Sequence, residues 1–179
     1  MIPYRDEKIK NASIFFAREH RKRAKKPLYQ TYLYKYLSFL DFCSIRETGK
    51  PALDLTYRAM ERGPVPLEVY DGKEKVTGCK FVRDQCGEQV LTSLKPNLDY
   101  FSDYEIDLMA RLIDFYAQRW VTSNMMSDAT HEDILAWRRT PLNQLIDKSL
   151  EFKGNLSTKS KDELSFPETV FLTHKALSS

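Results

Sequence analysis

The chain has 179 residues, of which 42% are hydrophobic and 30% are charged, with a formal net charge of +3. These values are typical of one folded domain with its own hydrophobic core, and they exclude wholesale disorder. No stretch approaches the roughly 18 consecutive apolar residues of a membrane span, and the first residues lack the pattern of a secretory signal. We therefore expect a cytoplasmic protein without membrane contact.

A helix with one buried side is predicted from about Asp6 to His20, and it leads into a basic run. Cations are favoured in the last turn of a helix, where they face the negative end of its dipole, and Pro27 stops the helix. Clustered cations also neutralise nucleic-acid phosphates, which leaves nucleic-acid binding as an alternative. We favour the solvated helix end, because no aromatic residue is interleaved for base stacking. The run consists of Arg18, Arg21, Lys22, Arg23, Lys25 and Lys26, with Glu19 as its single acid.

The segment after Pro27 predicts a second helix with a stripe rich in tyrosine. Aromatic residues at helical spacing are more often core than a ligand site. Phe42 lies off the stripe, so either the opposite face also packs or Phe42 belongs to a partner surface. Gly49 is expected as a left-handed C-terminal cap. The stripe consists of Tyr29, Tyr32, Leu33, Tyr36, Leu40 and Cys43.

The stretch RGPVPLEVYDG, from Arg62 to Gly72, concentrates glycine and proline before an apolar segment. We predict that an extended piece, LDLTYRAME, reaches a sharp turn at Gly63 and Pro64, and that Pro66 begins a short helix ending by Gly72. One interpretation is a scaffold that fixes the angle between the two elements. The other is a rigid corner that presents partner-binding residues, since Arg and Tyr are typical interface anchors. The candidates are Arg58, Arg62, Pro66, Tyr70 and, from the preceding helix, Phe42.

The rest of the chain predicts a β-hairpin and two further helices. The hairpin spans Cys79 to Leu94, with a turn at Cys86–Gly87. Ser102 and Glu105 form a capping box for a helix that runs to about Trp120. Thr130 is expected to cap another helix that carries Trp137. Residues 151–179 are interpreted as a polar linker and C-terminal tail that includes a short helix, and residues 1–150 as the folded domain.

The order of these segments resembles the Panacea domain, also described as the SocA-like antitoxin domain of bacteria and phages. The resemblance covers about Asp6 to Thr140. It rests on the Gly-Pro-Val-Pro turn that enters a helix with Tyr, and on the Thr-His segment before Trp. These landmarks are Gly63, Pro64, Val65, Pro66, Tyr70, Thr130, His131 and Trp137. The resemblance implies an antitoxin that binds and blocks a cognate toxin protein, with delivery of the toxin to a ClpXP-type protease as a further role.

The residues offer no constellation for catalysis, metal binding or a cofactor. Cys43, Cys79 and Cys86 fit no zinc spacing, and no glycine-rich phosphate loop is present. His131 is expected at a helix N-terminus, where the dipole disfavours its cation, so we interpret it as a neutral structural histidine without a companion nucleophile. The sequence thus predicts a non-enzymatic α+β domain, mainly helical, with five to six helices and one small sheet. The resemblance implies toxin neutralisation as its function, and the basic run leaves nucleic-acid regulation as the alternative.

Overall fold

The computed structural model describes residues 2–178, which contain seven α-helices and two small antiparallel sheets. The mainly helical α+β class predicted from the sequence is confirmed, although these residues form seven helices and two sheets where five to six helices and one sheet were expected. In chain order the elements are α1 (Arg5–Ala24), β1 (Leu28–Tyr29), α2 (Gln30–Thr48), β2 (Tyr57–Met60), β3 (Gly63–Pro66), α3 (Leu67–Thr77), β4 (Lys80–Arg83), β5 (Glu88–Leu91), α4 (Asp103–Tyr116), α5 (Ser123–Asp133), α6 (Leu135–Arg138) and α7 (Phe166–Ser178). Three short 3-10 turns lie between α6 and α7.

Helix α2 is the centre of the fold and is buried on nearly every side. It packs against α1, α4, α5, α7 and strand β3. Leu33, Tyr36 and Leu40 of the predicted stripe are fully buried, and Tyr32 and Cys43 pack half-buried against the core, so these five confirm the stripe as core. Tyr29 does not belong to it, because it lies in β1 before the helix begins. Phe42, on the other side, is also fully buried and lies against Tyr57, with ring centroids 5.0 Å apart. The expectation that Phe42 binds a partner is therefore wrong, because both faces of this helix pack.

Each of the two sheets is built on a β-hairpin that packs against the helices. Strands β2 and β3 pair from Tyr57 opposite Pro66 to Met60 opposite Gly63, so Gly-Pro-Val-Pro is itself a strand and the turn lies just before it. The predicted hairpin of β4 and β5 is confirmed, and β1 adds a third strand to its edge. Strand β3 tolerates Pro64 and Pro66 because it is an edge strand, where some backbone positions do not need to donate an N–H to a neighbouring strand.

Helix boundaries differ from the sequence predictions at several points. Helix α3 does not end by Gly72 but continues, with a kink at Lys73, to a left-handed cap at Gly78. Helix α4 begins with the predicted capping box of Ser102 and Glu105 but ends at Tyr116, four residues before Trp120. Helix α1 continues through the basic run as far as Ala24. Gly49 caps α2 at a φ of +80°, as expected.

The predicted cap at Thr130 is wrong. Helix α5 begins earlier, where the Thr122 hydroxyl accepts a hydrogen bond from the Met125 amide, and Thr130 lies buried in its last turns. The Thr130 hydroxyl instead donates to the carbonyl of Ser127. A threonine in mid-helix can bond back to its own helix in this way, and sequence spacing alone does not distinguish that role from a cap.

The C-terminal segment folds back on the core. Helix α7 packs against α2, and Phe152 and Phe171 are buried with ring centroids 5.2 Å apart. Gly49 allows this close approach, because a Cβ at that position would collide with the carbonyl of Pro167. None of the helices within residues 2–178 has the length and apolarity needed to cross a membrane.

The core contains a histidine that is held neutral. His20 is 3% exposed, and its Nδ1 lies 2.9 Å from the hydroxyl of Tyr36. Burial, and then the charge of Lys26, lowers the pKa of His20 to about 4. Glu151 behaves oppositely, because burial raises its pKa to about 7 despite its ion pair with Arg46.

We expect His20 to make the protein sensitive to acid. Because its pKa in the folded state lies below the value of about 6.5 in an unfolded chain, its contribution is present above pH 6.5 and is lost as the pH falls towards 4. Between pH 7 and pH 5 this loss amounts to about 2 kcal/mol. The measurement is the free energy of unfolding in urea at both pH values for the native chain and for His20→Gln.

A matched control separates His20 from the other titrating groups. Glu151 becomes less stabilising as the pH rises from about 4.5 to 7, so it masks part of the effect in the native chain. We therefore compare differences between variants, and His174→Gln in α7 serves as the control. If the free energy of unfolding depends on pH in the same way in His20→Gln and His174→Gln, this account of His20 is wrong.

Candidate partner-binding site

Three of the five predicted partner-binding residues are exposed on one side of the first hairpin. Arg58 and Arg62 belong to the hairpin, and Tyr70, which is 47% exposed, follows on α3. Pro66 is buried, so its expected role in partner binding is wrong: it ends β3 against the core. Arg58 lies directly opposite Val65 in the β2–β3 register, so both side chains share one face of the hairpin.

A small cavity with mainly apolar walls opens at the tip of this hairpin. Tyr34, Arg62, Pro64 and Val65 are among its lining residues. Tyr70 lies beside it, because its ring centroid is 6.5 Å from that of Tyr34. We call the set Tyr34, Arg58, Arg62, Val65 and Tyr70 the hairpin surface.

A buried lysine supports the hairpin surface from beneath. Lys35 is 4% exposed, and its ammonium donates to the carbonyl of Arg62, to Ser127 Oγ at 3.1 Å and to Thr130 Oγ1 at 3.4 Å. Ser127 Oγ donates to the same carbonyl at 2.8 Å. Burial, and then the charge of Arg62, lowers the pKa of Lys35 to about 8. These contacts fix the backbone of Arg62 and leave its side chain free to reach outwards.

The glycine of the Gly-Pro-Val-Pro motif is required by the same contacts. Gly63 has a φ of +113°, which residues with a side chain rarely adopt. A Cβ at this position would lie 2.8 Å from Thr130 Oγ1 and 3.2 Å from Lys35 Nζ. Gly63 and Thr130 are thus adjacent in the fold, although 67 residues separate them in the chain.

His131 and Trp137 complete the support of the hairpin. Their rings stack with centroids 3.9 Å apart and planes 2° from parallel, and Trp137 Nε1 donates to the carbonyl of Met60 at 3.1 Å. His131 lies in the last turn of α5 and not at a helix N-terminus, so the dipole argument from the sequence is wrong. Its pKa is lowered instead by burial and by nearby Lys35. Its Nε2 is buried without a hydrogen-bond partner.

The landmark residues therefore lie together as a scaffold under the hairpin surface. Among residues 2–178, no group of three or more His, Cys, Asp or Glu side chains is arranged to hold a metal ion. Sequence reasoning missed Lys35 and Tyr34, which lie on the face of α2 that carries Phe42. A lysine on this face was a signal that it packs, but the partners of Lys35 lie 27, 92 and 95 positions away, which local patterns do not show.

A wider groove continues from the hairpin surface along the second hairpin. Tyr70, Lys73, Arg83 and Glu88 line it, and Lys73 forms an ion pair with Glu88. The two depressions share Thr31 as a lining residue. The cavity at Arg62 and this groove therefore adjoin each other.

The basic run lies away from these residues, at the end of α1. Lys22 pairs with Glu19 at 3.6 Å, Arg23 with Asp114, and the half-buried Arg18 donates to the carbonyl of Leu94 at 3.0 Å. Lys26 donates to the carbonyl of Arg119. Arg21 and Lys25 are exposed, and Lys25 takes the left-handed cap position with a φ of +56°. The solvated helix end predicted from the sequence matches this geometry.

Arg and Tyr are frequent among the residues that carry most of the binding energy at protein interfaces. Comparison with known families gives the particular family. Residues 33–138 match the family described as the antitoxin SocA-like, Panacea domain. Because this match spans more than half of the chain, the protein belongs to that family. No curated protein and no solved structure gives a significant match. The matched range runs from α2 to α6 and contains the whole hairpin surface and its support.

Proposed function

We propose that this protein is an antitoxin that neutralises a cognate toxin protein by binding it directly through the hairpin surface, without catalysing a reaction. The observation that supports this most is the family match, which covers every residue of that surface. The family is named for an antitoxin, and an antitoxin requires a toxin as its partner.

The geometry supports a binding role in two ways. First, the backbone of Arg62 is already held by Lys35 and Ser127, so little conformational entropy is lost when a partner docks. Second, the cavity beside Arg62 has apolar walls formed by Tyr34, Pro64 and Val65. It suits an apolar side chain of the toxin that is flanked by a carboxylate, which Arg58 or Arg62 would pair with at the rim.

The direct test is co-expression with the product of the neighbouring reading frame. We expect that this product arrests growth alone, that the antitoxin restores growth, and that the two proteins purify as one complex. The half-life of the toxin distinguishes occlusion from delivery to a protease, and an unchanged half-life supports occlusion. A harmful neighbouring protein that is neither bound nor neutralised would refute the proposal.

We expect that the double variant Arg62→Ala, Tyr70→Ala weakens toxin binding by about 100-fold or more. Arg and Tyr are frequent hot spots of protein interfaces. Truncating one such side chain to alanine reduces the binding free energy by about 2 kcal/mol when the partner buries that side chain. The measurement is the Kd by titration calorimetry, together with growth rescue. Both side chains are exposed in the free protein, so we expect its thermal stability to stay nearly unchanged.

The matched control removes the same residue types elsewhere. Tyr4 is 70% exposed, and Arg111 on α4 is exposed and pairs with Glu47 only at 3.5 Å. The double variant Tyr4→Ala, Arg111→Ala should bind the toxin as the native chain does. Equal losses in the two double variants would show that the hairpin surface is not the toxin-binding site.

A further inference from the structure

A depression lies where the end of α1 meets the second hairpin. Arg21 of α1 and Lys80 of β4 line it, together with Leu91, Ser93 and Leu94. Lys80 and Leu91 are directly opposite each other in the β4–β5 register, so their side chains share one face of that hairpin. The volume of the depression, about 500 Å³, is that of a small-molecule site. It therefore combines cations from two elements with an apolar wall.

The wall that carries the two leucines is held in place by contacts of its own. The Arg18 guanidinium donates to the carbonyl of Leu94 at 3.0 Å, which holds the segment after β5 against α1. The Leu94 amide donates to Thr92 Oγ1 at 3.1 Å. These contacts use neither Arg21 nor Lys80, so both side chains stay available to a ligand.

Neither of the two cations is neutralised by a neighbour. Within residues 2–178, the side chains of Arg21 and Lys80 form no ion pair and no hydrogen bond, and both residues are exposed. The same part of the chain contributes no carboxylate to the lining of the depression. Glu19, in the adjoining depression, already pairs with Lys22 at 3.6 Å. Glu74 accepts from a backbone amide of β4 at 3.1 Å. The depression therefore keeps two positive charges.

We propose that this depression binds a small phosphate monoester, with Arg21 and Lys80 on the phosphate oxygens and with Leu91 and Leu94 against the carbon part. The planar fork of an arginine holds two phosphate oxygens, and a lysine adds a point charge. The exposed Ser93 hydroxyl, which has no hydrogen-bond partner in the described chain, provides a further donor.

The charge of the site favours a monoester over the phosphodiesters of nucleic acid. A monoester carries about 1.5 to 2 negative charges at neutral pH, which matches two unpaired cations. Each phosphodiester of a nucleic acid carries a single charge, and its chain continues on both sides of the phosphate. A depression that is closed on one side by an apolar wall suits the end of a small molecule better than a continuous strand.

The test titrates the full chain, labelled with ¹⁵N, with phenyl phosphate, inorganic phosphate and dimethyl phosphate at low salt. Gly78 also lines the depression, so its amide signal reports binding there, and exposed Gly154 in the C-terminal segment is the reference signal. We expect phenyl phosphate to shift the signal of Gly78 and not that of Gly154. It should bind about tenfold more tightly than inorganic phosphate, because the leucines cover its ring. Dimethyl phosphate, with one charge, should bind more weakly than inorganic phosphate.

Three substitutions separate the contributions of charge and of the apolar wall. Arg21→Ala and Lys80→Ala should each weaken binding of phenyl phosphate by about tenfold, since each removes a charge-assisted hydrogen bond. Both side chains are exposed and unpaired, so we expect thermal stability to stay unchanged. Leu94→Ala should remove the preference for phenyl phosphate over inorganic phosphate.

A matched control removes cations elsewhere. The double variant Lys153→Ala, Lys161→Ala removes two exposed cations of the C-terminal segment and should bind phenyl phosphate as the native chain does. The proposal is overturned if none of the three anions shifts the signal of Gly78, or if dimethyl phosphate binds as tightly as inorganic phosphate. It is also overturned if Arg21→Ala and Lys80→Ala lose no more affinity than the control, or if Leu94→Ala keeps the full preference for phenyl phosphate.

Discussion

Replacing Asp41 by alanine is expected to lower the free energy of unfolding by about 4 kcal/mol, enough to unfold much of the protein at 37 °C. Asp41 is fully buried in α2, and its carboxylate accepts from the amides of Leu53 at 2.6 Å and Leu55 at 3.0 Å. The hydroxyl of Tyr57 donates to it at 3.0 Å. Burial raises the pKa of Asp41, and Lys148 and these donors oppose that rise.

The size of this effect follows from the donors that alanine would leave unpaired. Each buried donor without a partner costs about 1–3 kcal/mol, and several lie in the loop that carries the chain from α2 to the first hairpin. Asp41→Asn keeps the shape and one acceptor oxygen, so it should lose less stability than Asp41→Ala. The exposed Asp71→Asn is the control for loss of charge alone. Urea unfolding followed by circular dichroism measures all three, and a loss below about 1 kcal/mol in Asp41→Ala would contradict this role.

The second large effect is expected from Gly63→Ala, which should destabilise the protein and weaken toxin binding together. A φ of +113° strains any residue with a side chain by about 1–3 kcal/mol. The new methyl group would also lie 2.8 Å from Thr130 Oγ1, so the hairpin tip must shift away from Lys35. Because Lys35 and Ser127 hold the backbone of Arg62, that shift displaces Arg62 as well.

Gly154→Ala is the matched control for Gly63→Ala. Gly154 also has a positive φ, of +80°, but it is exposed and a Cβ there would meet only the end of Lys159 at 3.5 Å. Gly154→Ala should therefore lose stability through backbone strain alone, because its methyl group collides with no neighbour. Its affinity for the toxin should stay unchanged. Stability is measured in urea, and affinity by titration calorimetry. Normal toxin binding by a folded Gly63→Ala protein would show that the motif does not position the hairpin surface.

The sequence predicted those parts of the fold that depend on local patterns. The stripe of α2 from Tyr32 onwards, the capping box at Ser102, the cap at Gly49 and the second hairpin all rest on local patterns, and all are confirmed. Helix ends were predicted less well. Gly72 lies in α3 because that helix tolerates a kink at the next residue. Thr130 lies in α5 because Thr122 provides the cap.

The candidate site could be predicted only in part, because its support comes from contacts between distant segments. Arg62 and Tyr70 were found as typical anchors, and the structure exposes both. Phe42 and Pro66 were assigned to a partner surface because a single sequence does not show which side of an element faces the core. The contact of Lys35 with Ser127 spans 92 residues, and the contact of Lys26 with Arg119 spans 93. Neither hydrophobic periodicity nor motif spacing predicts contacts between residues so far apart in the chain.

The central claim is that Gly63, Thr130, His131 and Trp137 form a scaffold and that the hairpin surface above them binds a toxin protein. A crystal structure of the complex with the neighbouring toxin tests this most directly. We predict that Arg62 and Tyr70 become buried against the toxin, that one of its apolar side chains occupies the cavity between Tyr34 and Val65, and that His131 stays stacked on Trp137. A toxin bound elsewhere, with Arg62 and Tyr70 still open to solvent, would contradict the account.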